Sequence, residues 1–250
     1  MDFRLDSNEA CAPGYSLLRL SPVEGKLPEC RPGQFVEIKI DHTRALLRRP
    51  ISICDADYER NQLILLVKDA GQATHELCLA AESSVFSILL PLGHGFSFPE
   101  SKEKPVLLAG GGVGIAPLLY WGKELKRQGY IPVFLVGARR ERDLLLGNEL
   151  ERIGSLNVAT EDGSRGVKGL ITAHPALAAD YGAIYTCGPQ PMMKAVAQAA
   201  RISGTPCEAS LENKMACGLG ACLCCVEPTK EGNRCVCTEG PVFNIDELKW

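Results

Sequence analysis

The chain has 250 residues, of which 46% are hydrophobic and 23% are charged, as in ordinary folded globular proteins and unlike disordered chains. Its formal net charge of −3 provides no electrostatic reason to expect a nucleic acid as partner. No stretch of about 18 residues is apolar enough to cross a membrane, and the N-terminal MDFRLDSNEACAPGY carries charges where a signal peptide requires an apolar run. These features predict a cytoplasmic protein that binds neither nucleic acids nor membranes.

Short β-type runs, separated by Pro, Gly and charged turns, occupy the chain from about residue 16 to residue 90. Their spacing predicts an all-β barrel or sandwich. The runs are YSLLRLS, QFVEIKI, RPISICDA, NQLILLVKD and SSVFSILLPLG. The charged, Pro-bounded stretch FPESKEKP that follows predicts a linker. We therefore expect a first domain over residues 1–99.

Apolar runs that read as strands then alternate with helical patterns up to about residue 205. The expected strands are PVLLAGG, IPVFLVGA, LNVATED and AIYTCG. The expected helices are IAPLLYWGKELKRQG, RDLLLGNELERIG, HPALAADYG and PMMKAVAQAARISG. This alternation predicts a parallel sheet with helices on its faces, which places an α/β domain at residues 100–205. Residues 206–250 show no such pattern and form a third, small module.

Cysteine is concentrated in this third module, where six of the twelve cysteines lie between residues 217 and 237. Cys217, Cys222 and Cys225 have the spacing C-x4-C-x2-C, which together with a more distant fourth Cys is the plant-type [2Fe–2S] pattern. Gly218 and Gly220 are small enough to let the backbone wrap closely around a cluster.

Other interpretations of the cysteine module stay open on spacing alone. A structural zinc site usually has two short Cys pairs, and a thioredoxin-like dithiol expects a preceding strand. Either Cys235 or Cys237 could supply the fourth cluster ligand. We expect the surplus cysteines, including Cys224, to be buried apolar thiols.

Two segments of the first domain are candidates for binding the phosphate or the ring of a cofactor. Arg48-Arg49-Pro50-Ile51-Ser52 begins a predicted strand, where an Arg fork can pair with a phosphate; the alternative is an ordinary surface feature. Gly71 and Thr74 precede a short helical pattern whose N-terminus could bind an anion. The alternative for Thr74 is a simple helix cap.

The second domain has two glycine-containing turns at the ends of predicted strands. The first, AGGGVGIAP, includes Gly112 and Gly114. It is not the common dinucleotide fingerprint G-x-G-x-x-G, because Ile115 stands where the last Gly is required. The second begins with Cys187 and Gly188. Two such turns at the carboxyl ends of one parallel sheet predict a shared ligand crevice, and the alternative is a pair of tight turns without a ligand.

In this order, RRPISI, GGGVGIAPL, TEDGSRGVKG and CGPQPMM resemble motifs of the ferredoxin-reductase superfamily. Together with MACGLGACLCCV and CTEGPVF, the whole chain resembles the electron-transfer subunits of NAD-dependent dihydroorotate dehydrogenases. This resemblance implies an α+β multidomain fold, with an antiparallel flavin-binding β-barrel, an α/β parallel-sheet nicotinamide domain and a small C-terminal [2Fe–2S] module. The cofactors it implies are FAD, a [2Fe–2S] cluster and NAD(H).

The resemblance also implies residue roles. Arg49 would hold the FAD diphosphate, Ser52 would lie near flavin N5, and Cys187 would lie at the hydride-transfer face, with no residue acting as a general base. The full cofactor-binding set is Arg49, Pro50, Ile51, Ser52, Val67, Lys68, Gly71, Thr74, Gly112, Gly114, Cys187 and Gly188. The cluster ligands are Cys217, Cys222, Cys225 and Cys237, because the fourth family ligand precedes an acidic-Gly-Pro-Val-Phe run.

Two positions depart from the superfamily pattern. Ile51 stands where many members have an aromatic residue that stacks on the flavin, and Ala73 replaces a Gly common in the phosphate loop.

Arg139 and Arg140 lie where a ribose 2′-group is expected and could accept a phosphate, yet we expect a preference for NADH over NADPH.

The function that the resemblance implies is electron transfer within a hetero-oligomer, with a heterotetramer as the expected assembly. An FMN-containing catalytic subunit would oxidise dihydroorotate, and electrons would pass through the cluster and FAD to NAD. The alternatives are the electron-transfer subunit of another NAD(P)-linked complex, of the sulfide dehydrogenase or ferredoxin:NADP transhydrogenase type, and a zinc-stabilised adaptor.

Overall fold

The computed structural model describes residues 1–40 and 46–250. Six antiparallel strands close into a barrel in the order β1-β2-β5-β4-β3-β6. Their bounds are Asp2–Ala12 (β1), Tyr15–Pro22 (β2), Phe35–Ile38 (β3), Arg49–Asp57 (β4), Gln62–Lys68 (β5) and Val85–Leu92 (β6), and the helix α1 (Gln72–Cys78) connects β5 to β6. The predicted antiparallel barrel is confirmed.

β3 is buried on both of its faces, which explains why its sequence is apolar nearly throughout. Side chains alternate between the two faces of a strand. Val36 and Ile38 point into the barrel core, whereas Phe35 packs outward against the core of the second domain. Glu37 also lies on the outward face and is fully buried. The outside of the barrel at β3 is therefore an internal surface of the protein.

β1 was not predicted, because its sequence DFRLDSNEACA is mostly polar. Phe3 and Leu5 are the only fully buried side chains of this strand, and both are essentially inaccessible to solvent. β1 pairs with β2 on one side and with β6 on the other, so it closes the barrel. Its place in the fold comes from this pairing, which a pattern within one segment does not reveal.

The second sheet has seven strands in the order β10-β9-β8-β7-β11-β12-β15, and only its last pair is antiparallel. The strands are Val106–Gly111 (β7), Pro132–Ala138 (β8), Ser155–Thr160 (β9), Val167–Lys168 (β10), Ala183–Cys187 (β11), Cys207–Ser210 (β12) and Val242–Asn244 (β15). Its helices are α2 (Ile115–Arg127), α3 (Gly147–Ile153) and α4 (Gln190–Ser203). The predicted parallel sheet with helical connections is confirmed.

Two predicted helices are shorter than their patterns indicated. In HPALAADYG the structure has only a short 3-10 helix at Pro175–Ala178, after another at Ile171–Ala173. In RDLLLGNELERIG the helix α3 begins at Gly147, after Leu146 adopts a left-handed backbone conformation with φ of 54°. Gly147 is the first residue of α3 and Pro175 is the first residue of the short 3-10 helix, so each helix begins later or ends sooner than its pattern predicts.

The cluster module is inserted into the edge of this sheet. It contains the hairpin of β13 (Val226–Thr229) and β14 (Gly232–Cys235) and the one-turn helix α5 (Val236–Glu239). The proposed domain boundary at residue 206 comes just before β12, which pairs with β11 and with β15. The module therefore leaves the sheet after β12 and returns to it at β15. In the part of the chain that the structure describes, no helix is long and apolar enough to span a bilayer.

Aromatic side chains anchor the linker between barrel and sheet. Phe96 stacks on Trp121 with ring centroids 5.7 Å apart, and Phe98 lies 4.7 Å from the same ring. Tyr185 packs edge-on against Trp121 at 5.4 Å. Trp121 is only 1% exposed, so this cluster holds the linker against helix α2 and strand β11.

We expect Trp121→Ala to destabilise the protein by about 3–5 kcal/mol, because it removes a large buried ring and leaves a cavity. Urea unfolding followed by far-UV circular dichroism measures this effect. Ile202→Ala, at a position 79% exposed on α4, should change stability by less than about 0.5 kcal/mol. Equal unfolding midpoints for the two variants would contradict the anchoring role of Trp121.

Candidate cofactor and cluster sites

The four cysteines predicted as cluster ligands share one feature: the sulfur of each accepts a backbone N–H. Such bonds stabilise the negative charge of a thiolate. The donor and acceptor pairs are Leu219 N to Cys217 Sγ (3.4 Å), Cys224 N to Cys222 Sγ (3.5 Å), Cys237 N to Cys225 Sγ (3.4 Å) and Gly220 N to Cys237 Sγ (3.1 Å). The loop thus directs its N–H dipoles toward the sulfurs.

The four thiols interact as two pairs, Cys217 with Cys222 and Cys225 with Cys237. Within residues 1–40 and 46–250, no three His, Cys, Asp or Glu side chains converge on a single metal ion. The N–H of Leu219, followed by other donors of the loop, lowers the pKa of the Cys217 thiol to about 6. Burial raises the pKa of Cys237 to about 12. Two thiol pairs fit the two irons of a [2Fe–2S] cluster, which is held by four Cys thiolates.

Glycine is required at two positions of this loop. Gly218 and Gly220 have φ of +66° and +77°, the left-handed region that favours glycine. A Cβ on Gly218 would lie 2.7 Å from Cγ of Glu37, and a Cβ on Gly220 would lie 3.0 Å from Cγ2 of Thr238. The loop is therefore pressed against the barrel on one side and against helix α5 on the other.

The surplus cysteines do not match the expectation of buried thiols. Cys224 is exposed and Cys235 is half-buried, because the first lies on the outer turn of the loop and the second at the end of the hairpin. The backbone N–H of Cys235 donates to Oε2 of Glu239 at 2.7 Å. None of the hydrogen bonds found among the described residues ends on the Cys235 sulfur, in contrast to the sulfur of Cys237.

The two neighbouring arginines at the start of β4 have different surroundings. Arg48 donates to the backbone oxygen of Ser87 at 2.6 Å and to that of Glu37 at 3.3 Å, so it ties the start of β4 to β3 and to β6 beyond it. Among the described residues, Arg49 donates only to the backbone oxygens of Leu47 and Arg48, at 2.9 and 3.1 Å. Arg49, which is half-buried, is therefore the arginine with donors left for a phosphate.

Pro50, Ile51 and Ser52 follow Arg49 on β4, and the remaining barrel residues of the predicted set lie at the end of β5 and the start of α1. Val67 is buried in the barrel core, and Lys68 is exposed beside it. Gly71 faces open space, since no atom lies within 4 Å of a Cβ placed there. The Thr74 hydroxyl accepts the N–H of Ala70 at 2.9 Å and donates to the backbone oxygen of Gly71 at 3.0 Å. Thr74 thus shapes the turn that a phosphate would approach.

The two glycine turns of the second domain touch one another. A Cβ on Gly114 would lie 2.4 Å from the backbone oxygen of Cys187, and a Cβ on Gly188 would lie 2.9 Å from that of Gly111. Gly112, with φ of +55°, faces the barrel instead. Gly114 and Gly188 are therefore required for the close packing of the β7 and β11 turns, and the predicted crevice lies at their shared edge.

Two residues at this crevice were not singled out from the sequence. The Tyr15 hydroxyl, from the barrel, lies 3.6 Å from the position of a Cβ on Gly112. Glu212, just after β12, accepts a weak hydrogen bond from the Cys187 thiol at 3.9 Å. Solvent reaches Glu212 from the crevice, yet the surrounding protein raises the pKa of its carboxyl, an effect partly offset by Lys68. The Cys187 thiol is completely buried, and burial raises its pKa well above the ordinary value.

A flavin-type barrel, a parallel sheet with two glycine turns and a four-cysteine loop define the class of reductases that combine a flavin, a pyridine nucleotide and an iron–sulfur centre. The sequence profile of the iron–sulfur cluster binding domain of dihydroorotate dehydrogenase B matches residues 212–249. The chain is 36% identical to the dihydroorotate dehydrogenase B (NAD(+)) electron transfer subunit of Shouchella clausii, over 96% of this chain and 94% of that one. The Listeria monocytogenes subunit is 38% identical over 87% of each chain. The chain belongs to this family of electron-transfer subunits.

Solved structures agree with this assignment at the level of the fold. A chain of the NADH-dependent reduced ferredoxin-NADP oxidoreductase superposes with a TM-score of 0.88 and 31% identity, covering 99% of this chain and 90% of that one. Phthalate dioxygenase reductase superposes with a TM-score of 0.62 and 18% identity, covering 82% of this chain and 64% of that one. The second similarity shows the fold alone.

We expect Gly218→Ala to lower the cluster content of the purified protein while leaving FAD bound, because the new Cβ would collide with Glu37 and move the loop. Iron and acid-labile sulfide per flavin measure this. Gly204→Ala is the matched control, since Gly204 has φ of +67° and no atom within 4 Å of a Cβ. If both variants keep a full cluster, the contact with Glu37 does not hold the loop.

Proposed function

We propose that this chain is the electron-transfer subunit of a dihydroorotate dehydrogenase, and that it passes electrons from the FMN of the catalytic subunit through a [2Fe–2S] cluster and FAD to NAD in pyrimidine biosynthesis. The observation that carries the proposal is the loop of four N–H-supported thiols, inserted in the sheet that bears the two glycine turns and pressed against the barrel. The family membership of the chain supports the same function.

The cluster would be held by Cys217 and Cys222 on one iron and by Cys225 and Cys237 on the other. The pairing of the thiols and the N–H donor to each sulfur support this assignment. Cys237 is preferred to Cys235 because its sulfur accepts the N–H of Gly220. The two-pair arrangement also favours a binuclear cluster over a structural zinc site, in which four ligands surround one ion.

FAD would be bound by the outer side of the barrel. Within the described part of the chain Arg49 donates only to two backbone oxygens, so its other guanidinium donors would be available to the diphosphate. Gly71 faces the open space into which phosphates would fit. Pro50, Ile51 and Ser52 continue along the same strand, while Lys68 and Thr74 shape the opposite wall. Val67, whose side chain is buried in the barrel core, would contribute only its backbone there. Ile51, in place of an aromatic residue, would contact the ring without stacking on it.

NAD(H) would be bound along the carboxyl edge of the sheet, with Gly112 and Gly114 at the diphosphate and Cys187 and Gly188 at the nicotinamide. FAD supplies the exchange between hydride transfer and single-electron transfer when it is bound. The protein keeps the Cys187 thiol protonated through burial, and its S–H is oriented by Glu212. No side chain is needed as a general base, because this chain handles hydride and single electrons only.

The partner subunit would approach at the cluster loop. Leu219 and Leu223 flank the ligands and are 59% and 62% exposed, and Leu223 has φ of 58°, a conformation that costs energy for a large residue. Exposed apolar side chains of this kind are typical of a protein interface. We also propose a cytoplasmic location, since all twelve cysteines are free thiols and free thiols persist in reducing compartments.

A second candidate function is that of a subunit in a ferredoxin:NADP oxidoreductase complex, which the similarity to the ferredoxin-NADP oxidoreductase chain favours. Co-expression with a dihydroorotate dehydrogenase catalytic subunit separates the two. The proposed function predicts a stable complex that reduces NAD with dihydroorotate. The second function would be favoured if the two subunits form a complex that neither accepts electrons from FMN nor reduces NAD with dihydroorotate, while ferredoxin supports turnover.

We expect Cys237→Ser to abolish the cluster and Cys235→Ser to retain it, with FAD bound in both variants. The visible spectrum and the iron content of anaerobically purified protein check this directly. The two positions are two residues apart on the same segment, so each variant controls for the other. Retention of the cluster in Cys237→Ser and its loss in Cys235→Ser would reverse the ligand assignment.

We expect Glu212→Gln to slow flavin reduction by NADH about 5- to 10-fold, which corresponds to about 1–1.4 kcal/mol in the barrier, because the charged acceptor that orients the Cys187 thiol is lost. Since the pKa of Glu212 is raised, the wild-type rate should fall as pH decreases through that raised pKa, when the carboxylate becomes protonated. The variant should lack this pH dependence. Stopped-flow measurements across pH test both points, with the exposed Glu103→Gln as control, and an unchanged pH profile in Glu212→Gln would exclude the positioning role.

A further inference from the structure

The dinucleotide site extends beyond the two glycine turns, toward the ends of β8 and β9. If the nicotinamide lies beside Cys187 at the end of β11, and the diphosphate lies at Gly112 on the adjacent β7, the adenosine half must continue to the other side of β7. The next strands there are β8 and then β9, each about 4.8 Å from its neighbour. This placement rests on the proposed function of the chain.

Hydrogen bonds join the turn that follows β8 (residues 139–141) to the turn that follows β9 (residues 161–164), and we call the surface that these two turns form the ledge. The N–H of Glu161 donates to the backbone oxygen of Ala138 at 3.1 Å, and the N–H of Asp162 donates to that of Arg139 at 3.3 Å. The Ser164 hydroxyl accepts the N–H of Glu141 at 2.7 Å. The position of Asp162 is therefore set by contacts to both turns.

The carboxylate of Asp162 is oriented on this ledge. The N–H and the hydroxyl of Ser164 both donate to Oδ1 of Asp162, at 2.9 and 2.6 Å. In the described part of the chain, every hydrogen bond found to this carboxylate uses Oδ1, which leaves Oδ2 for a ligand. The two bonds from Ser164, with a smaller effect of Arg140, lower the pKa of Asp162. The group is thus a fixed, ionised acceptor that is exposed to solvent.

We propose that Asp162 is the residue that selects NAD(H) over NADP(H), by accepting hydrogen bonds from the adenosine ribose hydroxyls through Oδ2 and by repelling a 2′-phosphate. An acidic residue that binds the ribose hydroxyls is the usual device of NAD-dependent enzymes. Here it comes from the turn after β9, because the turn after β8 begins with Arg139 and Arg140 and has its first acid only at Glu141.

The cations around the ledge explain why an acid is needed for this choice. The two turns carry Arg139 and Arg140 together with the acids Glu141 and Glu161, and the aliphatic part of Lys168 packs at Gly163, 3.1 Å from the position of a Cβ. Without Asp162 the three cations would still exceed the charge of Glu141 and Glu161, and the remaining positive charge would attract a phosphate. Asp162 lies close enough to Arg140 to interact with its charge, so it both offsets the arginine and opposes the additional phosphate.

Isothermal titration calorimetry of the oxidised, FAD- and cluster-loaded protein with NAD⁺ and NADP⁺ tests the proposal without any redox step. In Asp162→Asn the ratio of the two dissociation constants should shift toward NADP⁺ by about tenfold or more, which corresponds to about 1.4 kcal/mol. In the double variant Asp162→Asn/Arg140→Ala the weakened NAD⁺ binding should persist, while the gain in NADP⁺ binding should be reduced. Bound FAD per chain verifies that each variant is folded.

Asp180→Asn is the matched control, because it makes the same change in net charge at an exposed carboxylate that pairs with Lys104 away from the crevice. Its selectivity ratio should equal that of the wild type. A wild-type ratio in Asp162→Asn, or the same shift in Asp180→Asn, would overturn the assignment of Asp162. Failure of the wild-type protein to bind either nucleotide would instead overturn the proposed function.

Discussion

Backbone N–H groups directed at four cysteine sulfurs are the interaction on which the rest of this structure depends. A segment can direct several N–H groups inward only if it turns sharply, and the left-handed conformations of Gly218 and Gly220 provide those turns. The same glycines have no Cβ, so the loop can press against Glu37 of the barrel and Thr238 of α5. The two glycines therefore account both for the stabilisation of the thiolates and for the close packing of the loop.

Close backbone approach also connects the cluster module to the nucleotide-binding parts of the chain. The turns after β7 and β11 touch through Gly114 and Cys187, and the strand that follows, β12, leads directly to Glu212 and the cluster loop. Tyr15 and Lys68 extend from the barrel toward this edge. Three segments far apart in the sequence thus meet around one crevice, and a flavin between barrel and sheet would be near both the nicotinamide and the cluster.

Much of this architecture could be predicted from the sequence, since periodicity and turn residues are local signals. The barrel strands from Tyr15 onward, the parallel sheet and the C-x4-C-x2-C loop all have such signals. β1 lacked one because its pairing with β2 and β6 is not local, and β12 and β15 are too short to stand out, with four and three residues. The proposed ligand and cofactor residues came from spacing and from the family resemblance together.

What the sequence could not reveal depends on contacts across the fold. Arg48 and Arg49 are adjacent in the chain, and only their partners show that Arg48 ties strands together while Arg49 keeps donors free. Glu212 follows a short strand with no motif that marks it, and its contact with Cys187 exists only in three dimensions. The sequence pattern around Gly114 predicts a nucleotide-binding turn. The structure adds a second reason for glycine at this position, because a side chain there would collide with the backbone of Cys187.

Electron paramagnetic resonance of the anaerobic, FAD-loaded protein after addition of NADH is the most direct measurement of the central claim. A four-thiolate cluster in electronic contact with the flavin should give the signal of a reduced [2Fe–2S] centre, and removal of FAD should prevent its appearance. A protein that contains no iron or acid-labile sulfide, or one whose cluster is reduced by NADH equally well without FAD, would contradict the account.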